Sequence, residues 1–174
     1  MEKSKLNLDI SIDDNRWNEE ISDIESVAKE TMYAVFEYIG KRYEFDMLKL
    51  NKILNINLVL SDDNNVWQLN KQYRGMDKPT NVLTFANMDN DDFASENEYF
   101  EDIELGDIII AYETMQKEAK IKNISLLWHF MHLFIHGLLH ILGFDHQDDE
   151  EAEEMEQIET DILESLGVDN PYQE

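Results

Sequence analysis

All five histidines of this 174-residue chain fall between positions 129 and 146, and from His136 the sequence reads HGLLHILGFDH. His136 and His140 are four residues apart. On a helix that spacing puts both imidazoles on one face, where they can share a metal ion. Gly143 follows, a residue able to take the left-handed conformation that ends a helix. The chain can then fold back and deliver His146, ten positions after His136, to the same ion. Three neutral imidazoles with a fourth position open to water make a catalytic zinc site rather than a closed structural one. The chain has no cysteine, so any transition metal must be held by imidazole or oxygen. The expectation is one Zn2+ per chain.

A histidine pair at i, i+4 says little alone; the glycine and the third histidine at i+10 make the pattern specific. The same spacing, HExxHxxGxxH, occurs in the metzincin zinc proteases, whose glutamate position is Gly137 here. The general base of a zinc peptidase is therefore missing from its usual place. This points to metal-dependent hydrolysis of another bond, with a zinc metallopeptidase as the rival reading. His132 lies one turn before His136 on the same stripe. Two roles are open to it: a core histidine bonded to backbone, or a group behind the ligands that orients them. His129 reads as a partly buried structural residue. Asp145, beside His146, either orients a ligand imidazole or caps the turn, and we read the former.

The second cluster is basic. Lys71, Arg74 and Lys78 lie within LNKQYRGMDKPTNVLTF, residues 69–85, in a chain with 39 Asp+Glu against 14 Lys+Arg and a net charge of −25. Arg74 precedes Gly75 at an expected helix end, where a guanidinium can reach into an adjacent cleft and bind phosphate bidentately. All 14 basic residues lie at or before Lys122, and the segment after it carries 13 acids. Such a field repels free polyanions at long range, which excludes a nucleic-acid binder working by net charge alone.

These residues need a scaffold. Period-two alternation or short apolar runs predict strands over 6–12, 53–60, 82–86 and 105–111. Helical spacing predicts helices over 21–39, 66–73, 112–120, 124–142 and 149–166, the first ending at Gly40 and the second at Gly75. Residues 87–104 hold 8 acids and no basic residue, and read as a flexible surface loop. No repeat or linker interrupts the pattern. The reading is one α+β domain over residues 1–174: a small mixed four-stranded sheet with about five helices, one of them a zincin-like metal-site helix. Residues 124–142 carry no charge, but four histidines span only about 80° of that helix's circumference. We read a buried core helix with one functional face rather than a membrane span. Residues 1–12 alternate instead of forming an apolar export signal, and the absence of cysteine fits a reducing compartment.

LNKQYRGMDKPTNVLTF, the strand LGDIII at 105–110, HLFIHGLLHILGFDH at 132–146 and the following EEAEEMEQIETDILESLG together resemble the YbeY family of bacterial endoribonucleases. The ending Asn170-Pro171-Tyr172 is similar to the family's usual one. The resemblance runs from about Val59 onward. Asn81 stands where the family usually has Asp, Thr84 where it has Ser, Ala86 where it often has Pro and Phe144 where it often has Tyr. The resemblance implies a cytoplasmic, single-strand-specific, metal-dependent endoribonuclease. Such proteins mature the 3′ end of small-subunit ribosomal RNA and act in ribosome quality control. It also implies zinc on His136, His140 and His146 and an essential Arg74; the basic cluster itself adds Lys71 and Lys78 as candidate substrate contacts. The expected partners are single-stranded RNA and a ribosomal protein or assembly GTPase, not DNA or a membrane. A non-enzymatic assembly factor with a structural metal is the other alternative.

Overall fold

A computed structural model describes residues 4–44, 51–76, 80–93, 97, 99–145 and 147–168. Its strands are β1 (Lys5–Ile12), β2 (Ile53–Ser61), β3 (Val82–Ala86) and β4 (Asp102–Ala111). Its α-helices are α1 (Arg16–Glu20), α2 (Ile24–Arg42), α3 (Asp63–Arg74), α4 (Tyr112–Lys122), α5 (Leu126–Ile141) and α6 (Asp149–Ser165). The strands form one mixed sheet in the order β1-β2-β4-β3. β1, β2 and β4 are parallel, and β3 runs antiparallel to β4 on one edge.

Side-chain alternation along β4 divides the core. Ile108 and Ile110 pack into the main cluster with Ile56, Leu58 and Leu60 of β2 and with Phe130, Phe134 and Leu138 of α5. Ile109 and Ala111 point to the opposite face, where Val66 of α3 and Leu83 cover them. The sheet thus separates α3 from α5. Among the described elements only the short edge strand β3 lies between the end of α3 and the histidine helix, and the candidate site forms there. α3 is also fixed at its start. Asp63 accepts hydrogen bonds from the Thr114 backbone N–H at 2.9 Å and hydroxyl at 2.8 Å, while Glu113 accepts from the Asp63 N–H at 2.8 Å.

Two sequence expectations need correction, and one element, α1, was not anticipated. α2 runs through Gly40 to Arg42, because Lys41 pairs with Glu37 at 2.9 Å and Arg42 stacks 3.8 Å from the Tyr38 ring centre, extending the last turn. The five-residue α1 was too short for a periodic signal; it is held by Trp17, fully buried, whose indole N–H donates to the Ser61 carbonyl at 2.9 Å. β4 begins at Asp102, inside the expected loop, since Ile103 is buried opposite Leu54 of β2. No single described helix is long and apolar enough to cross a membrane.

Candidate active site

α5 is buried along almost its whole circumference and capped at its start by Ser125, whose hydroxyl accepts from the Trp128 N–H at 3.0 Å. At its end Gly143 has φ +97°, and the Gly143 and Phe144 N–H groups bond back to the carbonyls of His140 and Leu139, both at 3.0 Å. That left-handed turn stops the helix where the glycine was expected to stop it. His136 and His140 project from the last two turns into a polar cavity of about 480 Å3, which Arg74, Thr84 and Asp145 also line.

The two imidazoles meet. Their Nε2 atoms are 3.0 Å apart and their ring centres 4.6 Å apart. Nitrogen lone pairs at that distance repel unless something positive lies between them, either a proton or a cation. Two zinc–nitrogen bonds of about 2.0–2.1 Å easily span it, so the pair fits two ligands of one ion. Among the described residues no group of three candidate ligands converges. His146, the expected third ligand, lies outside the described residues, as does Lys78 of the basic cluster.

Behind the pair lies a residue that the sequence reading passed over. Glu159 of α6, only 5% exposed, sits 3.0 Å from His136 Nδ1 and 2.9 Å from His132 Nε2. Burial pushes its carboxyl up, but the hydrogen bonds from His132 and His136 outweigh this and hold it at about 2. An ionised carboxylate can only accept, so His136 carries its proton on Nδ1 and turns its Nε2 lone pair toward His140. This is the carboxylate–histidine arrangement that fixes tautomer and ring orientation in metal sites. His132 bonds the same carboxylate through Nε2, and its ring makes no hydrogen bond to backbone among the described residues. His132 and Glu159 wall a larger cavity of about 680 Å3 on the other side of His136.

His129 is buried and lies 2.9 Å from Glu118, which also accepts from the Asn81 amide at 3.0 and 3.2 Å. Burial pushes the His129 pKa down, against the opposing pull of Glu118. Asn81 therefore donates to a carboxylate, a task an aspartate in its place could perform only if protonated. Asp145 accepts from the Gln147 amide at 2.8 Å.

Arg74 reaches the site from the other face of the sheet. It ends α3, donates to the Thr84 carbonyl on β3 and lies 5.4 Å from the Phe85 ring centre. Thr84 takes one of the five guanidinium N–H donors, leaving donors for a phosphate. Lys71 is exposed in the last turns of α3. Gly137 faces away from the cavity: a Cβ there would lie 3.1 Å from the Ile108 side chain in the core.

The family described as Endoribonuclease YbeY matches residues 11–167. The chain belongs to the YbeY family. An endoribonuclease YbeY of Paramagnetospirillum magneticum is 48% identical over 122 residues, 70% of this chain and 73% of that one. The endoribonuclease YbeY of Francisella tularensis subsp. novicida is 47% identical over 122 residues, covering 68% and 70%. The solution structure of a Thermotoga maritima protein shares the fold with a TM-score of 0.53, covering 97% of this chain and all of that one at 19% identity. The YbeY match spans β2, β3, β4, α3 and the histidine helix, the elements that bring Arg74, His136 and His140 to one cavity.

Proposed function

We propose that this YbeY-family chain is a cytoplasmic, zinc-dependent endoribonuclease that cuts single-stranded RNA, maturing the 3′ end of small-subunit ribosomal RNA and serving ribosome quality control. The observation that carries the reading is the shared cavity, with the Arg74 guanidinium and the His136–His140 pair on its walls and Glu159 bonded behind His136. His136, His140 and His146 would hold one zinc ion, which when bound supplies Lewis acidity and a nucleophile at neutral pH.

The chain's own residues do the rest. Glu159 keeps the His136 proton on Nδ1, so that Nε2 stays a donor of its lone pair. Arg74 takes the phosphoryl oxygens and neutralises the charge that grows on them. Lys71 and Lys78 steer neighbouring phosphates. The Glu118 carboxylate, through Asn81 and His129, stiffens the wall between the two cavities.

A peptidase reading loses ground at Gly137, whose place against Ile108 leaves no room for a carboxylate. The test combines metal analysis of the purified protein with cleavage of a fluorescent single-stranded RNA and of casein. RNA cleavage, about one zinc per chain, and loss of both in His140→Ala are expected. Casein cleavage without RNA cleavage, or unchanged metal content in His140→Ala, would overturn the proposal.

A further inference from the structure

An enzyme of RNA at −25 cannot draw its affinity from charge, so binding must rest on something that acts at contact. Stacking of bases on aromatic rings is such a term, and it tolerates any sequence. The described surface offers one aromatic group tied directly to Arg74. Tyr73, its neighbour at the end of α3, is 63% exposed. The Tyr73 ring meets Phe85 edge to face, with ring centres 5.9 Å apart and planes at 78°. Phe85 is the same ring over which Arg74 lies.

The Phe85 backbone is fixed in the sheet. It pairs with Asp107 across β3 and β4. Its carbonyl packs so close to Gly106 that a Cβ there would collide with the oxygen. One ring thus contacts both the tyrosine and its neighbour Arg74, whose guanidinium lines the cavity that holds His136 and His140. We propose that Tyr73, braced by Phe85, is a stacking platform for the nucleobase next to the phosphate that Arg74 holds. A phosphate on Arg74 places the attached nucleoside within one residue's reach, and an exposed ring at right angles to Phe85 leaves a face open to it. The platform rests on the endoribonuclease reading, and it explains how a single strand is preferred: inside a duplex both faces of a base are covered by its stacked neighbours.

The test measures KM and kcat of the purified full-length protein on a fluorescent single-stranded RNA, and on the same strand with an abasic ribose next to the cleaved bond. Tyr73→Ala should raise KM about tenfold, the loss appearing in KM more than kcat, and Tyr73→Phe should restore it. On the abasic strand the difference between wild type and Tyr73→Ala should vanish. Unchanged KM in Tyr73→Ala, an equal loss on the abasic strand, or no rescue by Tyr73→Phe would overturn the platform while the endoribonuclease reading stands. A wild-type protein that cleaves neither strand would overturn that reading, and the platform with it.

Discussion

Glu159 and His136 are joined across two helices, Oε2 to Nδ1 at 3.0 Å, by a carboxylate that is almost wholly buried and yet ionised. The same carboxylate holds His132 through its other oxygen at 2.9 Å. A buried charge with two imidazole partners is a fixed element: its removal frees both rings at once. Replacing Glu159 by Gln keeps the shape and removes the charge. Zinc affinity should fall about 10–100-fold, measured by competition with a chelating dye. Affinity equal to wild type would take Glu159 out of the site.

Arg74→Ala should keep zinc content and melting temperature near wild type, because Arg74 is exposed and touches no histidine of the pair among its described contacts. Turnover on RNA should fall on the order of 10²–10³-fold, the usual loss for one donor aimed at developing charge. Arg74→Lys should recover part of it, since an ammonium lacks the planar fork. Wild-type turnover in either variant would make Arg74 a surface residue only.

Much of this site was legible in the sequence. The i, i+4 histidines and the helix-ending glycine are local features, and a helix turn converts spacing into geometry without help from the rest of the chain. Arg74 at the end of α3 was legible for the same reason. That it shares a cavity with the histidines depends on β3 lying at the sheet edge, and strand order is a long-range property that periodicity does not carry. Glu159 was hidden by company, one of 13 acids after Lys122. A signal did exist: it shares a buried helical face with Met155, Ile158, Ile162 and Leu163, and an acid on an apolar face needs a partner. Gly40 misled because a glycine that can end a helix is not obliged to when side chains beyond it pair back.

His129 gives a pH prediction. Burial lowers its pKa in the folded protein below the value of about 6.5 that it has when unfolded. Between those two values the unfolded chain binds the proton and the folded one does not, so stability falls as pH drops through that window. Above about 6.5 the contribution is complete. His129→Gln keeps a donor for Glu118 but does not titrate. Its melting temperature, measured with a chelator from about pH 7.5 to about pH 5, should fall less steeply than that of wild type. Parallel curves would show that His129 is not held neutral.

The charge gives the last prediction. Three basic contacts, Lys71, Arg74 and Lys78, release counterions worth a salt slope of only about −2 on a single strand. Added salt also screens repulsion between RNA and a protein at −25. The two effects oppose each other, so binding of naked single-stranded RNA should be weak, with a shallow or inverted salt dependence. Stacking at Tyr73 adds to affinity without adding to the slope. Strong binding should then appear only when a partner, a ribosomal protein or an assembly GTPase, presents the RNA end and adds positive surface. Affinity for a labelled single strand, measured by anisotropy between about 50 and about 200 mM salt, decides the point. A steep fall from tight binding would require a basic surface far larger than three residues, and the need for a partner would disappear.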